Sequence, residues 1–321
     1  MTWLAADIGG TYSRLAWLDS TTGALEAEQV FENARFDSLE AVIDEGRAAR
    51  GRAGEPIERM VLAVPGPVHQ DPITLTNIRW QLRRETLRAC FQAGELMIVN
   101  DFQAAALGAV NEPYERLKVL NAATPDDGPV VVAGAGTGLG MAWLPARDYP
   151  GLPRATEGGH LDFAPNDARQ LALYRALAER HGHVSYERIV SGEGLLDGYR
   201  FIAGSGASAD TPAKIVDLAG RGDAHAVEAV QLFVAVFAAY AGNLALAFNP
   251  SGGIYLCGGL SVHLADWFEP GAFMAAFAAK GRMAGVVRRI PVFLVTRHDT
   301  GLAGAKRIVK KFYRAERHDE Q

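Results

Sequence analysis

The sequence predicts a duplicated α/β fold with two domains, in which two glycine-rich turns face one cleft. A length of 321 residues is the usual size of a two-domain chain. Short apolar runs predict buried strands, and they alternate with glycine-rich or polar turns and with helical patterns. One strand–turn–strand pattern also occurs twice, 126 positions apart, and this repeat favours two related domains. Its identical pairs are Gly10 and Gly136, Thr11 and Thr137, Ala16 and Ala142, Trp17 and Trp143, and Leu18 and Leu144.

The first half of the chain opens with a strand, a turn and a second strand. Residues 3–6 and 15–18 are apolar, and the turn between them is Asp7-Ile8-Gly9-Gly10-Thr11. A helix is predicted at 35–50 because its apolar residues recur at helical spacing. The other predicted elements are strands at 24–31, at 60–64 (stopped by Pro65-Gly66-Pro67) and at 96–99 (ending at Asn100-Asp101), and a helix at 104–110.

The second half repeats the opening pattern, with strands predicted at 129–133 and 141–144 around a glycine-rich turn. Residues 229–248 carry no charge, and twenty residues is spanning length for a membrane helix. Seven of them are alanine and polar residues interrupt the run, so the segment favours a buried core helix. The remaining predicted elements are a strand at 254–257, which ends at Gly258-Gly259, and an amphipathic helix at 301–317 with a solvated basic side.

The composition is that of an ordinary globular protein, with 49% hydrophobic and 21% charged residues. This excludes a disordered, collagen-like or coiled-coil chain. A net charge of −5 gives no electrostatic footprint for nucleic acid, so no such partner is expected. Two cysteines are too few for a disulfide framework, and the start of the chain has no basic region of a signal peptide. We therefore expect a cytoplasmic protein that is not inserted in a membrane.

Several motif families are absent from the sequence. There is no Walker motif for an ATPase, no pair of kinase motifs and no serine-hydrolase elbow. The turn at 134–140 departs from the dinucleotide-binding glycine pattern, and the segment after it predicts a strand where that pattern needs a helix. The histidines and cysteines do not have zinc-ligand spacing.

Two glycine-rich and threonine-containing turns remain as candidate anion sites. In such turns backbone N–H groups converge on phosphate oxygens, and the hydroxyl groups of Thr11 and Thr137 add donors. Asp7, before the first turn, is placed to hold Mg²⁺ through water. The alternative is that each glycine only serves the hairpin. Two related turns, together with Gly258-Gly259, favour phosphate binding.

Polar residues at strand ends and in loops are candidate reactive groups. Asp101, after a buried strand, is either a general base toward a hydroxyl or part of an Asx N-cap. Two glycines between Glu157 and His160 predict that both side chains turn inward without a helix. The alternatives are a structural role for His160 and, for Glu187, a carboxylate in the first turn of a helix capped by Ser185.

An ordered set of motifs runs nearly end to end along the chain. It comprises Ala6-Asp7-Ile8-Gly9-Gly10-Thr11, Val64-Pro65-Gly66-Pro67-Val68, Leu75-Thr76-Asn77-Ile78-Arg79-Trp80, Val99-Asn100-Asp101-Phe102, residues 134–140, Glu157-Gly158-Gly159-His160, Asp162-Phe163-Ala164-Pro165, residues 184–187, Ser191-Gly192, Gly258-Gly259, Lys280-Gly281-Arg282, and His298 with Gly301-Leu302. On these motifs the chain resembles bacterial glucokinase, the ATP-dependent hexose kinase of the actin-like, hexokinase and heat-shock ATPase superfamily.

The resemblance implies the duplicated actin-like (ribonuclease H-like) ATPase fold, with two domains and a cleft between them. We expect a small domain at 1–107, completed by a C-terminal helix at 305–321, and a large domain at 108–304. The implied reaction is the transfer of a phosphoryl group from ATP with Mg²⁺ to the 6-hydroxyl of D-glucose, which gives glucose 6-phosphate and ADP at the start of glycolysis. We also expect a cytoplasmic homodimer.

The resemblance also implies residue roles. Asp101 resembles the base that takes the proton of the sugar 6-hydroxyl. The implied glucose ligands are Asn100, Asp101, Glu157, His160 and Glu187. The implied nucleotide site comprises Ala6, Asp7, Ile8, Gly9, Gly10, Thr11, Gly136, Thr137 and Gly138 at the phosphates and Gly258 and Gly259 at the adenosine, with Asp7 holding Mg²⁺ through water.

Some features depart from related proteins or leave alternatives open. The cysteine-rich zinc motif of the related repressor and sugar-kinase group is missing, so no zinc is expected. Tyr12 follows the first turn where the family usually has Asn, and Ala135 stands where Pro is usual. The alternatives are a kinase for another hexose, a non-catalytic sugar sensor on the same fold, and ADP or polyphosphate as the phosphoryl donor.

Overall fold

The chain divides into two compact units. The structure is a computed structural model that describes residues 1–76 and 78–315, with side chains up to residue 311. Unit 1 comprises Met1–Asn111, Gly151–Pro153 and the described residues from Asp299 onward, and unit 2 comprises Glu112–Pro150 and Arg154–His298. Residues 316–321 of the predicted helix 305–321, and Asn77 of the quoted motifs, lie outside the described residues.

The elements of unit 1 as far as Asn111 are β1 (Thr2–Ile8), β2 (Tyr12–Asp19), β3 (Leu25–Glu32), α1 (Leu39–Ala49), β4 (Ile57–Val64), β5 (Ile73–Thr74), β6 (Gln81–Leu82), α2 (Arg84–Phe91), β7 (Glu95–Asn100) and α3 (Asp101–Val110). Those of unit 2 are β8 (Leu117–Asn121), β9 (Val130–Ala135), β10 (Leu139–Leu144), β11 (Arg154–Thr156), α4 (Ala168–His181), α5 (Gly192–Ala203), α6 (Pro212–Gly220), α7 (Ala224–Phe248), β12 (Gly253–Cys257), α8 (Gly259–His263), α9 (Pro270–Phe277), α10 (Ala284–Val287) and β13 (Val292–Val295). The last helix, α11 (Thr300–Ala315), belongs to unit 1.

Both units contain a sheet with the same strand order. The sheet of unit 1 runs β3-β2-β1-β4-β7, and that of unit 2 runs β11-β10-β9-β12-β13-β8. In each, three antiparallel strands are followed by two parallel ones, and β8 adds an antiparallel edge in unit 2. The duplication predicted from the 126-residue repeat is confirmed, because the two repeated turns join corresponding strands, β1 to β2 and β9 to β10.

The sheet of unit 1 is covered by helices on both faces, and successive side chains of its central strand, β1, point alternately to the two faces. Leu4, Ala6 and Ile8 of β1 pack in the cluster that contains α1 and α2, and Trp3 and Ala5 pack in the cluster that contains α3 and α11. Each of these strand residues is at most 6% exposed. Both faces are therefore core, which holds the carboxyl end of β1 and the turn that follows it in a fixed position.

Helix α11 packs backbone to backbone against α3 through two glycines. A Cβ at Gly108 would lie 2.0 Å from the carbonyl oxygen of Thr300, and one at Gly304 would lie 1.8 Å from that of Ala104. Neither distance is compatible with a side chain, so only glycine permits this approach. The contact fixes α11 against the helix whose first residue is Asp101.

Two sequence-based helix predictions have different outcomes. The uncharged segment lies in α7, and 78% of its most apolar window is buried within the protein, so the prediction of a core helix is confirmed. The helix predicted from residue 35 begins instead at Leu39, because the Ser38 hydroxyl caps it by accepting a 3.2 Å hydrogen bond from the Ala41 N–H. The residues before it, Asn33–Arg35, form a separate 3₁₀ turn.

Candidate active site

One buried residue, Asn33, holds the first glycine-rich turn through hydrogen bonds to its carbonyl groups. Its amide nitrogen donates hydrogen bonds of 2.8 and 3.3 Å to the carbonyl oxygens of Gly9 and Gly10. Its backbone N–H donates to the carbonyl oxygen of Thr11 at 2.8 Å, and its side-chain oxygen accepts from the Ser13 hydroxyl at 2.7 Å. The three turn carbonyl groups are therefore occupied by one residue, which sequence reasoning missed.

This arrangement leaves backbone N–H groups of the turn available to bind a ligand. Gly9 N–H closes the turn on the carbonyl oxygen of Tyr12 at 2.9 Å, whereas no acceptor is found among the described residues for the N–H groups of Gly10 and Thr11. Successive unbonded N–H groups are what binds an anion. Tyr12 contributes its backbone carbonyl and its side chain is 46% exposed, so the departure from the family pattern leaves the turn's hydrogen bond intact.

Asp7 lies at the end of β1 in a strongly acidic environment. Burial raises the pKa of its carboxyl group from 3.8 to about 6; nearby Arg14 lowers it, and the charges of Asp101 and Asp299 raise it. Gly301 makes room for this carboxylate, since a Cβ there would lie 2.6 Å from its oxygen. Asp299 is a second residue that the sequence analysis missed.

The donor set around Asp7 fits Mg²⁺, which prefers carboxylate oxygens and retains several waters. A divalent cation would neutralise the mutual repulsion of the three carboxylates. Within residues 1–76 and 78–315, no three side chains of the metal-ligating types are close enough to hold one ion directly. Water would therefore complete the coordination, which is the arrangement expected for Asp7.

Asn100 and Asp101 occupy the junction of β7 and α3. The Asn100 side-chain oxygen accepts from the N–H groups of Phe102 and Gln103 at 3.0 and 3.3 Å, and the Gln103 side chain accepts from the Asn100 N–H at 3.2 Å. This capping box assigns the N-cap to Asn100, so Asp101 is the first helical residue. With its oxygen used in the cap, Asn100 has its amide N–H groups left for a ligand.

In unit 2, the Glu187 carboxylate contacts both the second glycine-rich turn and the loop that carries Glu157 and His160. Its carboxylate accepts a 2.8 Å hydrogen bond from the N–H of Leu139, directly after the turn. Its other oxygen lies 3.7 Å from Nε2 of His160, which is 3.9 Å from the Glu157 carboxylate. A Cβ at Gly138 would lie 2.6 Å from the Glu187 carboxylate oxygen, so a larger residue there would displace this carboxylate. The structure thus brings Glu157, His160 and Glu187 together; their roles stay predictions.

Local structure in these loops differs from the sequence-based expectation. The Gly158–His160 segment is a 3₁₀ turn, so the prediction that it would contain no helix is wrong. The turn is formed by hydrogen bonds from the N–H of His160 to the carbonyl oxygen of Glu157 at 2.9 Å and from the N–H of Leu161 to that of Gly158 at 3.2 Å. Gly159 packs directly on β10, since a Cβ there would lie 1.9 Å from the carbonyl oxygen of Leu139. Glu187 also lies in a 3₁₀ turn, and the Ser185 side chain makes no capping hydrogen bond there.

The second turn and the third glycine site lie at the same end of the sheet of unit 2. Gly136 N–H donates to the carbonyl oxygen of Gly138 at 2.9 Å, and the exposed Thr137 lies between them. Gly258, at the end of β12, has φ +98°, and a Cβ there would lie 2.3 Å from the carbonyl oxygen of Ala135. Gly259 has open space around it. Parallel pairing of β12 with β9 places the two glycine sites side by side.

Comparisons with known proteins agree on one family. A family model described as Glucokinase matches residues 4–312. A curated glucokinase from Erwinia tasmaniensis is 36% identical over 307 residues, which cover 94% of this chain and 95% of the relative. The solved structure of a glucokinase from an Antarctic psychrotroph is 28% identical with a TM-score of 0.81, covering 96% of this chain and 98% of that one. A ROK family glucokinase from Streptomyces griseus, solved with glucose and AMPPNP, shares the fold at 20% identity, TM-score 0.64 and coverage of 97% and 99%.

Proposed function

We propose residue roles for a chain that belongs to the glucokinase family and is a kinase that phosphorylates glucose. The observation that carries the assignment is the position of the Glu187 carboxylate. It accepts a hydrogen bond from Leu139 beside the second glycine-rich turn and lies 3.7 Å from His160. One side chain thereby connects a phosphate-binding turn with a cluster of hydroxyl-binding groups.

Glu157, His160 and Glu187 bind the sugar hydroxyl groups in this proposal. Carboxylates accept hydrogen bonds from hydroxyls, and a neutral imidazole both donates and accepts. Their side chains are 93%, 56% and 30% exposed, so they are accessible to a ligand. A sugar that lacks one of the hydroxyls would leave its partner unpaired, which provides specificity.

In unit 1, Asn100 orients glucose through its amide N–H groups, and Asp101 accepts the proton of the 6-hydroxyl as the oxygen attacks the terminal phosphoryl group. ATP is the donor, and the N–H groups of Gly10 and Thr11 bind its phosphate oxygens, with Gly136, Thr137 and Gly138 doing the same in unit 2. Gly258 and Gly259 form the adenosine turn in this proposal, and the open space lies beside Gly259. Asp7 and Asp299 would hold Mg²⁺ through water, and the ion, when bound, would neutralise the charge of the phosphates.

A coupled kinase assay over a panel of hexoses and donors tests the proposal. We expect the highest kcat/KM with glucose and ATP-Mg²⁺, and weaker use of fructose, mannose and amino sugars. A higher kcat/KM with another hexose, or with ADP or polyphosphate, would assign a different substrate. Absence of turnover with glucose binding retained would instead favour a sugar sensor. We further propose that the protein is cytoplasmic and forms a homodimer; the molar mass from light scattering of the purified protein tests the dimer, and cell fractionation tests the location.

A further inference from the structure

A half-buried lysine that the proposed reaction does not use, Lys280, packs near the candidate sugar-binding loops of unit 2. The ammonium nitrogen of Lys280 donates to the carbonyl oxygen of Ala239 at 3.0 Å and to the side-chain oxygen of Asn243 at 2.6 Å. Both acceptors are neutral, and burial lowers the pKa of the lysine. Withdrawing an ammonium group even partly from water without a carboxylate partner costs free energy that an apolar side chain of similar size would not cost. Packing alone therefore does not explain this residue.

The hydrogen bonds continue from Lys280 to the turn that carries Glu187. The amide nitrogen of Asn243 donates to the hydroxyl oxygen of Tyr186 at 2.6 Å. Because the lysine occupies the Asn243 oxygen, it fixes which end of that amide faces the tyrosine. Tyr186 is 2% exposed and immediately precedes Glu187 in the same 3₁₀ turn.

Tyr186 also holds the loop that carries Glu157 and His160. Its backbone N–H donates at 2.9 Å to the carbonyl oxygen of Leu161, the residue after His160. Its ring packs edge-on against Phe163 with centroids 5.6 Å apart. One residue of the 186–188 turn thus contacts the loop at 157–163 through its backbone and its ring, and its hydroxyl accepts hydrogen bonds from Asn243 and from the backbone N–H of Ala164.

A glycine in α7 provides the space for Lys280. A Cβ at Gly242 would lie 2.6 Å from Cε of Lys280 and 2.3 Å from the carbonyl oxygen of Phe277. Because the Phe277 carbonyl is a backbone group, glycine at position 242 is required for the end of α9 to approach α7 this closely, and Lys280 follows three residues later.

We propose that Lys280 is a positioning residue for glucose binding, acting through Asn243 and Tyr186 to hold the turn at 186–188 against the loop at 157–163. The inference rests on the proposed function of Glu187 as a glucose ligand. A residue that acts through a chain of contacts typically changes affinity by about 2- to 30-fold. The change should fall on glucose and not on ATP.

The test compares Lys280→Met with Lys118→Met as a matched control. Lys118 also donates to a backbone carbonyl of unit 2, that of Ala265, but contacts neither sugar-binding loop. We expect Lys280→Met to raise the KM for glucose about 2- to 30-fold while kcat and the KM for ATP change by less than about twofold, and the control to change none of the three. Tyr186→Phe removes only the hydroxyl and should also raise the KM for glucose. This second variant tests the proposal even if Lys280→Met does not fold.

A double-mutant cycle with Glu187→Gln separates this inference from the function on which it rests. Non-additive effects of Lys280→Met and Glu187→Gln on the glucose KM support action through the turn. If Glu187→Gln raises the glucose KM but Lys280→Met and Tyr186→Phe do not, the positioning role is wrong and the sugar site stands. If Glu187→Gln leaves the glucose KM unchanged, the ligand assignment itself is wrong and the inference falls with it.

Discussion

Replacing Asn33 with alanine should damage both the stability of unit 1 and ATP binding. The substitution removes the bonds from the side chain to Gly9 and Gly10 and the bond from the Ser13 hydroxyl, in a position that is 2% exposed. A buried hydrogen bond contributes about 0.5–1.5 kcal/mol net. The three together predict a loss of about 2–4 kcal/mol in the free energy of unfolding, measured by urea titration.

The same substitution should raise the KM for ATP, because the turn would no longer present its N–H groups in one direction. Loss of a hydrogen bond to a charged group corresponds to about 1.5–3 kcal/mol, or about tenfold to a hundredfold in affinity. Ser13→Ala is the matched control, since it removes one of the bonds and should cost about 1 kcal/mol with little change in KM. An Asn33→Ala protein that is destabilised yet keeps the wild-type KM for ATP would show that this turn does not bind phosphate.

Three further substitutions test the base, the second turn and the acidic cluster. Asp101→Asn should lower kcat by about 10²–10⁴ with glucose binding retained by calorimetry, and near-normal turnover would remove Asp101 as the base. Gly136→Ala should leave the stability unchanged, because the added Cβ meets no protein atom within 4 Å, and should raise the KM for ATP. Unchanged ATP kinetics would contradict phosphate contact at this turn. Since the pKa of Asp7 is raised from 3.8 to about 6, the folded state binds the proton more tightly than the unfolded state, and the wild type loses stability as pH rises across that interval. Asp7→Asn should therefore be more stable than the wild type at pH 7 by about 1–3 kcal/mol, with the difference vanishing below pH 4, and equal stability at pH 7 would refute the raised pKa. The same variant should be inactive because it removes a carboxylate proposed to hold Mg²⁺ through water.

Local sequence patterns predicted the sheets and the glycine sites well. The repeat of Gly10 and Gly136 located the two equivalent hairpins, because their strands are contiguous in sequence and each turn is set by its own residues. Gly258 was selected because a glycine at the end of a buried strand lets a ligand approach the backbone. In the structure the carbonyl oxygen of Ala135 lies 2.3 Å from where its Cβ would be, so a neighbouring strand also requires glycine there.

The residues and contacts that sequence reasoning missed link positions that are far apart in the sequence. Asn33 follows Gly9 by 24 positions, and only the return of β3 along β2 brings it beneath the turn. Asp299 affects the pKa of Asp7 from the far end of the chain. The hydrogen bond from Leu139 to Glu187 spans 48 positions and depends on a tertiary contact that periodicity does not encode.

The backbone contact between α3 and α11 has a consequence for the order in which the chain folds during synthesis. Leu302, Ala305 and Ile308 cover the face of β1 that carries Trp3 and Ala5, yet the ribosome makes them only after all of unit 2. Domains usually fold in the order of translation. Helix α3 covers part of this face, but the rest stays exposed until α11 is synthesised, so a nascent chain stalled before Thr300 should be the species that chaperones bind.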